Sequence, residues 1–182
     1  GSEGFPASSS GLPDNWAGSV IISSDQPAVA FAQMIWTNAA LASTEGRYQT
    51  AGAYNGFTAG ANKLFLPSLS QRPGAQDTVI AVQSADAAST SETVGFSIKF
   101  YDRAGLLTHT INDTVNKGAQ KSYVLTDLLP ATPLFAATNG NGAAVIEATN
   151  PTDLLAASAT MHWANYSAAY SAVTGGGTKI SL

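Results

Sequence analysis

From Val94 to Phe100 the chain alternates without a break. Val94, Phe96, Ile98 and Phe100 share one side of an extended backbone, and Gly95, Ser97 and Lys99 share the other. A period of two marks a strand with one face in a core and the other toward water. Asp102-Arg-Ala-Gly105 follows, and Leu106 begins another extended stretch. This predicts a hairpin in which Gly105 supplies the positive φ of a bulged turn. Shorter runs of β-branched and aromatic residues predict strands over Ser19–Ser23, Val29–Trp36, Leu64–Leu66, Thr78–Gln83, Leu107–Asn112, Ser122–Thr126, Ala143–Ala148, Leu155–Trp163 and Thr178–Leu182. A helical turn is expected near Leu125–Leu129, ended by Pro130. Many short strands between Gly, Ser, Asn and Pro predict an all-β chain folded as an antiparallel sandwich.

The pattern is partly written twice. Ala53–Leu66 matches Ala169–Leu182 without gaps, pairing Ala53/Ala169, Tyr54/Tyr170, Thr58/Thr174, Gly60/Gly176, Lys63/Lys179 and Leu66/Leu182 at an offset of 116 (169 − 53). Upstream, Gly18–Pro27 parallels Gly142–Pro151, and each leads through a strand to Met34-Ile-Trp36 or Met161-His-Trp163. The stretch from Ser68 to Pro130 occurs once. The order is B–A–B′, with B at 1–67, A at 68–130 and B′ at 131–182. The expected division is a first, partial repeat unit with its connector strand at 1–67 and a second, more complete sandwich unit at 68–182.

A sandwich needs both sheets to bury a core, so half a repeat keeps an apolar face and unpaired edges unless it docks on its own chain or on a neighbour. Exposed strand edges are templates for other chains. Lys179, Ile180 and Leu182 of the last strand, with Tyr170 before it, are therefore the candidate assembly residues. A polymer of identical chains is the expected partner state.

Composition narrows the function classes. Charged residues make up 11% and hydrophobic ones 45%, against roughly 25% charged in an average soluble domain. Few Lys and Glu side chains means little side-chain entropy lost when surfaces pack together. The net charge of −4 gives nucleic acid no basic patch to meet. No apolar run approaches the ~20 residues of a membrane helix. With no cysteine, disulfide scaffolds, thiolate metal sites and cysteine nucleophiles are excluded.

Gly-Ser-Val-Ile-Ile-Ser-Ser-Asp-Gln-Pro27, Ala-Tyr-Asn-Gly-Phe57, Leu-Phe-Leu-Pro67, Asp77-Thr-Val-Ile-Ala-Val-Gln83 and Gly118-Ala-Gln-Lys-Ser-Tyr123 resemble tandem Ig-like repeats of large exported bacterial surface proteins. The resemblance implies an Ig-like sandwich and an extracellular or cell-surface location. The matching motifs are turn and strand signatures, so the resemblance is to a fold and a compartment. The second copy departs from it, with Ser171-Ala172 in place of Asn55-Gly56 and Ile180-Ser181 in place of Leu64-Phe65.

No catalytic constellation stands out. The histidines are His109, set between threonines in an expected strand, and His162, whose counterpart in the first copy is Ile35. A position that accepts Ile is a packing or surface position rather than a general base. The acids are scattered, and Asp25, Asp77, Asp86, Asp102, Asp113, Asp127 and Asp153 read as solvated turn residues rather than a paired-carboxylate site. Asn112-Asp113 and Thr138–Gly142 are oxygen-rich but lack calcium-loop spacing. Thr174–Thr178 carries three glycines without the strand–loop–helix frame of a phosphate cradle. Neither an enzyme nor a cofactor or metal is therefore expected. Tyr48, Tyr54, Tyr166 and Tyr170 raise a second reading, a sugar platform on an adhesive module. Asn112-Asp-Thr and Asn165-Tyr-Ser match the glycan acceptor pattern.

Overall fold

The computed structural model describes residues 18–37, 49–72, 76–85, 92–128, 133–163 and 166–175. These form eleven strands: β1 (Phe31–Thr37), β2 (Gln49–Asn55), β3 (Lys63–Arg72), β4 (Gln76–Ser84), β5 (Thr93–Asp102), β6 (Leu107–Asn116), β7 (Gln120–Val124), β8 (Asn141–Ala148), β9 (Leu155–Trp163), β10 (Ser167–Ser171) and β11 (Val173–Thr174). One helical turn, α1 (Leu125–Leu128), follows β7, and a 3₁₀ turn covers Ala136–Thr138. The chain is all-β, and every ladder among the described residues is antiparallel.

β1 and β2 form a separate hairpin, while the other nine strands form one ladder that changes layer at β3. The first half of β3 pairs with β8 and β11, and its end, Gln71 and Arg72, pairs with β4. A register shift between Leu66 and Leu69 marks the bend, as a bulge does where a strand must turn a corner. Thr78 of β4 stitches the change of layer. Its hydroxyl accepts from Ser70 N at 2.8 Å and donates to Ser70 O at 2.9 Å. One layer therefore runs β10–β9–β4–β7 and the other β11–β3–β8–β5–β6.

The layers share one core. Leu64 and Leu66 of β3, Phe96, Ile98 and Phe100 of β5 and Ile146 of β8 meet Ile80 and Val82 of β4 and Leu155, Ala157 and Ala159 of β9. Phe96 of β5 lies edge-on to Tyr123 of β7, with ring centroids 6.4 Å apart. The alternation expected for Val94–Phe100 is present, and all four apolar residues are buried. At the β5–β6 turn Gly105 has φ +82°. Asp102 Oδ1 accepts from Ala104 N and Leu106 N there, both at 2.9 Å.

Most expected strands are present, with ends shifted by a few residues, and Leu155–Trp163 keeps both ends. The expected strand over Ser19–Ser23 is not formed. Residues 18–30 carry no regular structure, bend at Asp25–Gln26, and join no ladder among the described residues. A strand is held by its neighbours' hydrogen bonds, and its apolar pattern alone does not supply them. β2, β10 and β11 were not expected, because Gly, Ala and Ser dilute their pattern. The expected strand Thr178–Leu182 lies outside the described residues.

Candidate functional site

The segment outside the described ladders has a paired twin. Gly18–Pro27 aligns with Gly142–Pro151, so Val20 matches Ala144, Ile22 matches Ile146 and Ser23 matches Glu147. In the second copy this stretch is β8, the strand between β3 and β5. Ala144 and Ile146 are buried there. In the first copy Val20, Ile21 and Ile22 stand 70%, 59% and 63% exposed. Nearby Val29 and Phe31 are also exposed. The copies share their apolar pattern and differ in their neighbours. The first copy touches its own sandwich beside the β6–β7 turn, where Ser19 Oγ donates to Gly118 O at 3.1 Å.

The hairpins of the two copies do meet. β1 pairs with β2 as β9 pairs with β10, and β2 lies against β10. A Cβ built on Gly52 would sit 3.2 Å from Ala169 Cβ and 3.2 Å from Ala168 C. Ser171 Oγ donates to Asn55 O at 2.7 Å. Gly52 and Ala168 are 116 residues apart, as are Asn55 and Ser171, which is the offset of the duplication itself. Repeat-equivalent residues thus stand beside each other. Phe31, Tyr54 and Tyr170 help line an open groove of about 510 Å³ along this contact.

Tyr170 is turned inward at its tip. Its hydroxyl donates to Ser68 O and accepts from Ser68 N, inside the β3 bulge. Burial pushes the phenol up to about 12 from 10.0, because the neutral form is favoured away from water. Tyr170 is thus an internal strut between β10 and β3. Tyr54 stays in the groove, 6.5 Å from the Phe57 ring. Of the other residues singled out, Lys179, Ile180 and Leu182 lie outside the described residues, as does Asn165. Asn112 is exposed in the middle of β6.

Gly60 of the duplicated connector has a spatial reason. An added Cβ would meet Ala85 Cβ at 2.6 Å and Leu154 Cβ at 2.9 Å, so a side chain does not fit. Beside it, Ala61 exchanges backbone hydrogen bonds with Leu155, both at 2.9 Å. This fastens the connector to β9 just before β3 begins.

The outer face of β3–β8–β5–β6 carries a cross-strand row, Lys63–Glu147–Ser97–Asn112. Glu147 Oε1 lies 3.5 Å from Lys63 Nζ and its Oε2 lies 3.0 Å from Lys99 Nζ. The Lys99 hydrogen bond holds the Glu147 carboxyl below its ordinary range. Asp113 accepts from Lys121 Nζ at 2.6 Å and from Tyr123 Oη at 2.8 Å. The Lys121 hydrogen bond chiefly lowers the Asp113 carboxyl, while burial and Asp113 raise Tyr123.

Asp77, Asp102, Asp153 and both histidines sit in or beside the strands. Asp77, in strand β4 rather than a turn, caps α1 by accepting from Thr126 N at 3.2 Å. Asp102 and Asp153 are buried in turns rather than solvated. His109 lies against Phe100, with centroids 6.3 Å apart. His162 is half-buried in β9, opposite Asp77 and Ser167. The oxygen-rich stretch Thr138–Gly142 is a tight turn with two left-handed residues, Asn139 at φ 54° and Gly140 at φ 75°. Arg72 Nε donates to Asn139 O there at 2.8 Å. Among the described residues no three His, Cys, Asp or Glu side chains gather as a metal site. No helix among them is long and apolar enough to cross a membrane.

Geometry defines the class as an all-β protein of antiparallel ladders in two packed layers. Comparison with protein-family models, curated proteins and solved structures finds no match for this chain in any of the three.

Proposed function

We propose that this chain is a non-catalytic structural subunit of an extracellular filament or surface layer, assembling head to tail by strand or edge complementation. The observation that carries this reading is the Gly18–Ser24 segment, which joins no ladder among the described residues. It exposes Val20, Ile21 and Ile22, while its own duplicate is an inner strand of the sheet. Adjacent exposed apolar side chains on a segment outside the described ladders form a surface that another strand completes. The low charge and the likeness to Ig-like tandem repeats of exported surface proteins support the same reading and the location. Sedimentation velocity and negative-stain microscopy of the full chain across a concentration series test it. The expected result is growth from monomer to filaments or sheets. A monomer at every concentration overturns it.

The groove along the β2–β10 contact favours a second reading, a carbohydrate-binding or adhesive module. It brings Phe31, Tyr54 and Tyr170 to one place, and aromatic rings are the stacking surface a sugar needs. Glycan-array binding lost in Tyr54→Ala, with the fold intact by circular dichroism, supports that reading. An array without signal removes it.

A further inference from the structure

We infer that Gly18–Ser24 is completed by Lys179–Leu182 of a second copy of this chain, in the register that β3 and β8 already use within one chain. This rests on the head-to-tail reading above and names the two strands that carry it. The template is observed. β3 and β8 pair Lys63 with Glu147, Leu64 with Ile146, Phe65 with Val145 and Leu66 with Ala144. Lys63–Leu66 recurs as Lys179–Leu182, and Ala144–Glu147 recurs as Val20–Ser23. Carrying both duplications through the ladder sets Lys179 opposite Ser23, Ile180 opposite Ile22, Ser181 opposite Ile21 and Leu182 opposite Val20.

Side-chain chemistry agrees with this register. In β3 and β8 the residues that face the core are Leu64, Leu66, Ala144 and Ile146, all buried. Their counterparts, Ile180, Leu182, Val20 and Ile22, are all apolar. On the outer face Lys63 meets Glu147, and the counterparts Lys179 and Ser23 are both polar. A slip of one residue would set Ile180 and Leu182 on the opposite face from Val20 and Ile22, because side chains alternate. Only the inferred register and its even-numbered shifts keep one face apolar, and only the inferred one matches the ladder already present.

The chain has no cysteine, so introduced thiols are the only ones present. Ser23→Cys and Lys179→Cys are prepared as separate full-length chains and mixed under mild oxidation. The expected product is a mixed disulfide dimer in excess of either homodimer. Ser23→Cys mixed with Ser181→Cys is the register control. Those positions are diagonal neighbours roughly 7–8 Å apart, beyond easy disulfide reach, and should cross-link far less. A chain carrying both Ser23→Cys and Lys179→Cys should give a ladder of covalent oligomers. Closure into a monomer without free thiols would place the pairing within one chain and overturn the inference, as would equal yields in the control. Light scattering of the unsubstituted protein separates the two levels. Assembly without the mixed dimer overturns this pairing and leaves the structural-subunit reading standing. Absence of both removes the reading as well.

Discussion

Among the described residues, Gln71 is the only long polar side chain in the set of largest fully buried ones. It sits near the end of β3, where the strand leaves β8 for β4. Its Nε2 donates to Leu125 O at the start of α1, and its Oε1 accepts from Leu134 N. One amide thus satisfies two backbone groups of buried residues and ties both crossing segments to β3. Gln71→Leu keeps similar bulk and removes both partners. Each orphaned group costs about 1–3 kcal/mol, so the expected loss is about 4 kcal/mol. For a chain of this size that lowers the melting temperature by roughly 8–16 °C. Gln71→Glu gives a finer test. A protonated carboxyl repeats both hydrogen bonds, donating to Leu125 O and accepting from Leu134 N, whereas a carboxylate confronts the Leu125 carbonyl. Burial raises the folded-state pKa of that acid. Its stability is then present below the unfolded value near ~4.3 and lost as pH rises through the folded value. Differential scanning calorimetry across pH measures both. The Glu variant should approach the parent near pH 4 and fall well below it at pH 7. An unchanged melting temperature for Gln71→Leu, or a Glu variant that tracks the parent at every pH, would refute the reasoning.

The tyrosine strut predicts alkaline loss. Tyr170 is raised from 10.0 to about 12, so its contribution is complete below pH 10 and disappears as pH climbs through 12. That amounts to at most about 2–3 kcal/mol, and stability curves of Tyr170→Phe should lack this alkaline limb. Gly60→Ala forces a Cβ against Ala85 and Leu154 and should cost about 1–3 kcal/mol, seen as a lower denaturant midpoint; a neutral result would remove the close-packing account of the connector. Lys121→Ala should let the lowered Asp113 carboxyl rise toward its ordinary value in an NMR titration. Because Asp113 stays charged to lower pH when folded, it stabilises above its unfolded pKa and stops doing so as pH falls. The pair is exposed, so stability should change by less than about 1 kcal/mol at neutral pH.

How much was legible in the sequence depended on which physical cause fixed each element. Val94–Phe100 was readable because its apolar and polar faces alternate at period two, and the fold buries the apolar face. Leu155–Trp163 was readable because its small and apolar residues run unbroken between turns. β2 and β10 were not, since Gly52, Ala168 and Ala169 are chosen for close approach between hairpins rather than for β propensity. Ser19–Ser23 failed in the opposite direction: its residues are those of a strand, but ladder partners come from elsewhere in the fold. The duplication singled out Tyr170 as an assembly position, while the structure shows its hydroxyl bonded to Ser68, 102 residues away in sequence, a contact that leaves no local trace. Gln71 gave no signal at all. A polar residue near a strand end reads as surface unless the crossing segments are known.

The place where the sandwich receives and releases the chain has a mechanical consequence. β3 begins at Lys63, and β11, the last described strand, lies antiparallel to it with Val173 opposite Phe65 and Thr174 opposite Leu64. The incoming and outgoing ends are therefore neighbours at the same end of the sandwich. Tension applied through them would not stretch the body along its strands. It would load the two-residue β11–β3 ladder and the Ala61–Leu155 pair bond by bond, as a zipper is opened, and leave the sandwich hanging as a pendant from the line of force. A thread built this way would yield early and by short steps while its lobes stayed folded, a behaviour that optical-tweezer traces would show as small, low-force extensions ahead of any unfolding.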